Sequence, residues 1–489
     1  MTYIVYDFET TGRSARFDQI IQAGFVAYNN NFQILESLNM KSRINPDIVP
    51  SINALRVNRL RVSDSLNEKF SSYEMTLKIL NFVSRFKNCF FFGFNSINFD
   101  EEFLRQTLWE HFTFPYITNS KGNKRGDLLN FVTMSHAFKD GSVNVEKNEI
   151  GKLTFRLESL AKANYFESKN AHDAIADVKI TMQLFELLAK KNKDFLNLFI
   201  KNSRASNVEE TINSQELFTL HSYMFSAHRI YLVKKLLKHP IYKNQIIGFD
   251  MKYDTAQLAE LNEKDLSDIY SKKSFFRKIK INKQPNILHK SFALKKEPYS
   301  NFSHDEIELK CKQLNSTKFL ENLKIILEKE SMDRLDNQSQ ELKFEEETIY
   351  SQNLNYKDSV LMKNFHTEPW DRKWEFAEKF RDSRLKFFAA KHIFRNFPDQ
   401  LPKKIFLHLH EKISERISSL DKLSFTTIPA AMEEADNLSL EFENDDVSRE
   451  SKEQLTEYNI YINFLNDYYN QKNPIPIKFD SSLSKKLFG

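Results

Sequence analysis

Over residues 1–190 the apolar positions switch repeatedly between a strand-like and a helix-like rhythm. Tyr3-Ile4-Val5-Tyr6 is β-branched and aromatic and runs into Thr10-Thr11-Gly12, which predicts a strand ending in a turn. Residues 20–28 predict a second strand, and Cys89-Phe90-Phe91-Phe92 predicts a short buried one. Residues 76–86 predict a helix. Phe99, Phe103, Leu104, Leu108 and Phe112 recur at helical spacing, and residues 157–163 and 174–188 predict two more helices. Alternation of this kind predicts an α/β layer structure.

The rhythm changes near residue 191. Residues 195–345 mix strand-like pieces, at 244–250 and 275–281, with polar connections, which predicts a smaller β-rich domain. From about residue 347 the pattern is helical, through 375–397 and 403–419. The acid-rich run at 433–450 reads as a solvated loop or helix edge rather than a site. A chain of 489 residues accommodates roughly three domains. The changes of pattern place them at 1–190, 191–346 and 347–489.

Composition narrows the function classes. The two cysteines, Cys89 and Cys311, are far apart and in no metal-type spacing. A disulfide scaffold and a zinc ribbon are excluded, and a reducing, cytoplasmic setting is expected. No apolar run approaches ~18 residues, so no membrane span is expected, and the start lacks the basic and apolar regions of a secretory signal. The net charge of +5 leans towards an acidic partner such as nucleic acid. Abundant phenylalanine (44) beside scarce glycine (9) suggests an AT-rich genome, a bias that also inflates lysine-rich stretches.

Asp7 and Glu9 sit two apart at the end of a strand, so both project from one face. Two hard oxygen ligands there can hold Mg²⁺ or Mn²⁺. The bland alternative is that Asp7 caps the turn and Glu9 is solvated. Asp100 follows Asn95-Ser96-Ile97-Asn98-Phe99 and opens a helix, where an aspartate also serves as an N-cap. His172 and Asp177 are five apart, so His172 reaches Asp177's site only from a looser segment before the helix. Asp173 pairs with Asp177 at i, i+4 and is equally able to cap. Together, four carboxylates on three segments plus one histidine match two-metal phosphodiester hydrolysis. Two cations ~3.5–4 Å apart activate water and steady the leaving oxygen, and a neutral histidine takes the water's proton.

At these residues the sequence resembles the DEDDh 3′–5′ exonuclease superfamily. Asp7-Phe8-Glu9-Thr10-Thr11-Gly12 is similar to its first motif, Asn95 to Asp100 to its second, and His172 with Asp177 to its third. The run from Thr154-Phe155-Arg156-Leu157-Glu158 through Ala161-Lys162-Ala163-Asn164 to Asn170-Ala171-His172-Asp173-Ala174 resembles the bacterial branch that degrades single-stranded DNA. So does Asp382-Ser383-Arg384 through Arg395-Asn396-Phe397-Pro398. The resemblance implies a ribonuclease-H-like α/β domain (a mixed sheet with flanking helices), then an SH3-like β domain, then an α-helical domain. The three would form a clamp that threads the strand 3′ end first. It implies Asp7, Glu9, Asp100 and Asp177 as ligands of two Mg²⁺ ions, with Mn²⁺ as a substitute, and His172 as general base. Glu9, Arg156, Arg105 and Tyr116 fall on substrate-contacting positions. The implied partners are single-stranded DNA and the acidic, apolar C-terminal tail of single-stranded DNA-binding protein, with Lys139 near that surface; a monomer is expected. Departures are the absence, around Tyr116 to Asn119, of the aromatics typical of the family's DNA contact, Thr133 in place of a contacting arginine, and a longer chain beyond Pro398.

Residues 271–296 carry Lys272, Lys273, Arg277, Lys278, Lys280, Lys283, Lys290, Lys295 and Lys296, with Phe275, Phe276 and Phe292 interleaved. A basic groove with aromatics suits a single strand read without sequence preference; a lysine-rich solvated edge over core phenylalanines is the alternative. Lys278, Lys280 and Lys283 are the candidate contacts here. Lys386, Lys391 and Arg395 are candidates on a helix at the other side of a clamp. The expectation is therefore a Mg²⁺-dependent exonuclease that releases 5′-mononucleotides in DNA repair and recombination. An RNA-trimming enzyme of the same superfamily and a non-catalytic strand-binding scaffold are the rivals.

Overall fold

The structure, a computed structural model, describes residues 1–166, 173–272, 274–341, 343–351, 354–444 and 447–489. The first unit is built on a mixed five-stranded sheet of β1 (Tyr3–Thr10), β2 (Ile20–Tyr28), β3 (Ile34–Lys41), β4 (Phe90–Gly93) and β5 (Lys124–Asp127). Its order is β3-β2-β1-β4-β5. β1, β2 and β3 pair antiparallel, and β1, β4 and β5 pair parallel. Alternation along β1 serves both faces. Tyr3 and Val5 pack with Phe90 and Phe92 under the helices Leu128–Phe138 and Ala174–Lys191. Ile4, Tyr6 and Phe8 pack with Phe25 and Phe91 against the helices Ser72–Ser84 and Asp100–Glu110. A strand buried on both faces reads as a continuous apolar run, which is why the phenylalanines of β4 follow one another.

The second unit is an antiparallel five-stranded sheet of β6 (Leu217–Met224), β7 (Ala227–Lys238), β8 (Gln245–Asp250), β9 (Phe276–Lys280) and β10 (Asn286–His289), in the order β10-β6-β7-β8-β9. The strand-like segments at 244–250 and 275–281 become β8 and β9. The pattern did not disclose the helix Thr317–Glu341 in this span. The turn after β9 plugs into the first unit. Asp127 N–H donates to Gln284 Oε1 (2.7 Å), Gln284 Nε2 donates to the Phe199 carbonyl (2.9 Å), and Arg125 Nη2 donates to the Asn282 carbonyl (2.9 Å).

The remainder is helical. The helix expected at 375–397 divides into Lys373–Ala377 and Ser383–Asn396, because Asp382 accepts the Arg384 N–H (3.0 Å) and starts a new N-terminus. The described acids of the 433–450 run form solvated helix edges: Glu433, Asp436, Glu441 and Glu443 are exposed on the helix Ile428–Asn444, where Glu434 accepts a hydrogen bond from Ser51 Oγ (3.0 Å), and Glu450 is exposed at the start of the helix Arg449–Tyr469. A buried ionic network joins the helical unit to the first. Arg395 grips both carboxylate oxygens of Asp47 (2.6 and 2.7 Å) and donates to Glu110 (3.1 Å). Lys391 and Arg416 converge on Glu346 (2.7 and 2.6 Å) and on Asp47 (3.2 and 3.4 Å). Burial works against the Asp47 charge, but these cations outweigh it and hold the carboxyl well below the usual range.

Candidate active site

In the β1–β2 ladder Asp7 stands opposite Gly24, and Glu9 stands opposite Gln22. Their parity puts both carboxylates on the sheet face covered by the helix Ala174–Lys191, whose first turn carries Asp177. That helix approaches the sheet because Gly24 has no side chain: a Cβ there would stand 2.8 Å from the carbonyl carbon of Ala174. Carboxylate oxygens of Asp7, Glu9 and Asp177 consequently lie within 4.8 Å of one another. Asp173 settles its two readings by capping. It accepts from Ile175 N–H (3.1 Å) and Ala176 N–H (3.3 Å), and Gln22 Nε2 donates to its other oxygen (3.0 Å). His172 lies outside the described residues.

Asp100 arrives from the opposite layer. It opens the helix Asp100–Glu110 just past the carboxyl end of β4, is buried, and accepts the Phe8 N–H with Oδ1 at 3.1 Å. That bond sets it between Asp7 and Glu9 along β1. The site therefore occupies the carboxyl ends of adjacent parallel strands, where open α/β sheets bind ligands.

These carboxylates strain against one another. Burial, then Asp100, Asp177 and Glu9, push the Asp7 carboxyl well above its ordinary range. Burial with Asp177 and Asp173 pushes Glu9 up to about 8. Burial raises Asp100 well above its ordinary range too, although backbone N–H groups, including that of Phe8, pull the other way. Negative charge gathered in this way, on hard oxygen donors alone, fits a divalent cation of the Mg²⁺ or Mn²⁺ type.

Two supporting acids escaped the sequence reading. Asp127 accepts N–H bonds from Asn95 (2.8 Å), Ile97 (3.1 Å) and Leu129 (3.1 Å), so it fixes the loop that delivers Asp100. An aspartate before an apolar run signals an N-cap; nothing local signals its hold on residues thirty positions earlier. Glu101 is buried and receives Tyr6 OH (3.0 Å), Thr118 Oγ1 (2.7 Å) and Arg125 Nη1 (2.8 Å).

The remaining candidate contacts divide. Arg156 is exposed at the N-cap of the helix Leu157–Ala163, and Lys280 is exposed at the end of β9. Arg105 is buried, paired with Glu101 (3.0 Å) and lying over the half-buried Tyr116 ring (5.0 Å). Three further cations have their charges matched within the fold. Lys278 pairs with Glu330 (2.8 Å). Lys283 donates to Glu102 (3.0 Å) and to the Ile97 carbonyl (3.1 Å), which ties the second unit to the Asp100 loop. Arg395 is 7% exposed and belongs, with Lys391, to the buried network.

Beside Glu9 opens a cleft of about 1320 Å³, lined on one side by Phe8, Glu9, Arg13 and Phe99 and on the other by residues 420–427 with Glu433, Glu434 and Asn437. No helix among the described residues is long and apolar enough to cross a membrane.

Residues 4–185 match the family described as Exonuclease, and residues 201–335 match the Exonuclease I SH3-like domain. Exodeoxyribonuclease I of Buchnera aphidicola subsp. Acyrthosiphon pisum is 26% identical over 409 residues, covering 81% of this chain and 97% of that protein. Escherichia coli exonuclease I in complex with a dA16 oligonucleotide superposes with a TM-score of 0.79 at 20% identity, covering 95% of this chain and 99% of that one. An ExoI/SSB-Ct complex matches with the same TM-score, identity and coverage. Likeness at such identity establishes the shared fold.

Proposed function

The chain belongs to the bacterial exonuclease I family of the DEDD exonucleases, and from that premise we propose that it hydrolyses single-stranded DNA from the 3′ end and releases 5′-mononucleotides. The observation that carries this reading is the convergence of Asp7, Glu9 and Asp177 within 4.8 Å, with Asp100 bonded to the intervening Phe8 N–H. Asp7, Glu9, Asp100 and Asp177 would hold two Mg²⁺ ions, with Mn²⁺ as a substitute. Bound there, the ions would lower the pKa of the attacking water and offset the charge gathering on the scissile phosphate.

The protein's own groups do the remainder. Asp173 caps the Ala174–Lys191 helix and so holds Asp177 in place. Asp127 holds the loop before Asp100. Glu9 borders the cleft and faces the nucleotide being removed. His172, one residue before the cap, takes the proton of the attacking water. Arg156 offers a guanidinium fork to a phosphate of the strand. The units at 1–190, 191–346 and 347–489 act as nuclease, SH3-like and helical parts of a clamp whose enclosure of the strand gives processivity. The acidic tail of single-stranded DNA-binding protein docks near the exposed Lys139, and the enzyme works as a cytoplasmic monomer in repair and recombination.

Incubation with 3′- and 5′-labelled single- and double-stranded DNA and with matched RNA tests the assignment. Expected are mononucleotides from single-stranded DNA, none in EDTA, and none from Asp7→Ala. Undiminished hydrolysis by Asp7→Ala, or a preference for RNA, overturns it.

A further inference from the structure

The cleft beside Glu9 owes one wall to the stretch 418–427, which links the helices Lys403–Ile417 and Ile428–Asn444 without regular structure. This strap is fastened. The ring of Phe425 lies 4.2 Å from that of Phe17 in the nuclease unit and 6.2 Å from that of Phe344. The Arg416 guanidinium covers both Phe17 and Phe425, at 5.7 and 5.9 Å. Ahead of that fastening, Leu420 is 89% exposed. A lone exposed leucine on an open surface needs no explanation. This one lines the same cleft as Glu9 and the half-buried Phe99, the residue preceding Asp100.

The charges on that wall say which part of a strand faces it. Asp421, Glu433 and Glu434 line it with a single cation, Lys422. Phosphates are repelled there and drawn to the cation-binding side, so the strand presents its bases to the strap. We propose that Leu420 is the apolar surface against which the base next to the scissile phosphodiester packs, holding that nucleotide in register with Glu9. Every base has an apolar face, so the contact is indifferent to sequence. The inference rests on the exonuclease reading above.

The test uses full-length Leu420→Ser and Leu420→Met, with Ile475→Ser, 67% exposed and outside the cleft, as control. All are assayed with Mg²⁺ on a single strand and on the same strand with abasic 3′-terminal nucleotides. The melting temperature of Leu420→Ser is expected to equal that of wild type, as the side chain is exposed. On the normal strand Leu420→Ser loses about tenfold in kcat/KM, Leu420→Met recovers to within about twofold, and Ile475→Ser is unchanged. On the abasic strand wild type and Leu420→Ser cleave equally. Wild-type hydrolysis with unaltered Leu420→Ser kinetics, or an equal Leu420→Ser deficit on both strands, overturns this inference alone. Absence of hydrolysis by wild type overturns it together with the reading beneath it.

Discussion

The carbonyl carbon of Ala174 lies 2.8 Å from the point where a Cβ on Gly24 would stand, and Gly24 is the cross-strand partner of Asp7. One missing methyl group therefore sets how deeply the helix bearing Asp177 descends towards Asp7 and Glu9. The acidic centre depends on an apolar packing distance, and that dependence can be measured.

Gly24→Ala is expected to push the helix N-terminus off the sheet. Overpacking of this kind destabilises by about 1–3 kcal/mol, and a displacement near 1 Å at a reacting centre lowers kcat by roughly 100-fold. Steady-state kinetics beside a urea titration check it. A Gly24→Ala enzyme with wild-type kcat would show that the close approach is dispensable.

Cation binding is expected to stabilise the fold, because buried carboxylates that raise one another's pKa lose that repulsion to a bound ion. At one hundred times the dissociation constant the gain is about 2.7 kcal/mol. Asp7→Asn removes one repelling charge. It should melt higher than wild type in EDTA, yet gain little from Mn²⁺. Paired thermal melts decide; a wild-type melting temperature indifferent to Mn²⁺ contradicts the cation site.

Two cations that look alike in the sequence should behave differently. Arg395→Ala leaves Asp47 buried without its bidentate partner and is expected to lose about 3–5 kcal/mol of stability. Lys280→Ala, exposed on β9, is expected to stay within about 0.5 kcal/mol of wild type. It should also make the salt dependence of strand binding shallower by about one ion. Denaturation together with binding isotherms at several salt concentrations separates the two.

Two contributions to stability should be lost in acid, one after the other. Burial first, then Arg395, hold His111 down to about 3; burial, then His111 and Arg395, hold His392 well below its usual value. The unfolded chain protonates these imidazoles near pH 6.5, while the folded chain does not. Their contribution to stability is therefore lost as pH drops below about 6.5, by at most about 1.4 kcal/mol per pH unit for each histidine. Asp47 has the depressed pKa of a carboxylate that wins its cations despite burial, so its contribution is intact above about pH 3.9. That contribution disappears as pH falls through the folded value. Urea unfolding of wild type and His392→Gln between about pH 7.5 and about pH 4 checks the first stage, because the opposite trend of the raised Asp7, Glu9 and Asp100 carboxyls is common to both proteins and cancels in the difference; an identical pH slope in the two would mean that His392 is already charged in the fold.

Much of this centre is legible in local pattern. The parity of β1 fixes Asp7 and Glu9 on one face, and the helical period after residue 174 fixes Asp177 in a first turn. These are properties of a few consecutive residues, so the sequence by itself determined them, along with the α/β, β-rich and helical succession of the chain.

Only the tertiary structure decided what lies at long range. It brought Asp177 against β1 through Gly24, seated Asp100 on the Phe8 N–H, and sent Asp127 to hold a loop thirty residues upstream. It also turned Lys391, Arg395, Lys278 and Lys283 towards carboxylates and left Lys280 and Arg156 in water. The physical reason is that a charge behaves according to its partners and its burial, and both are supplied by segments remote in the chain.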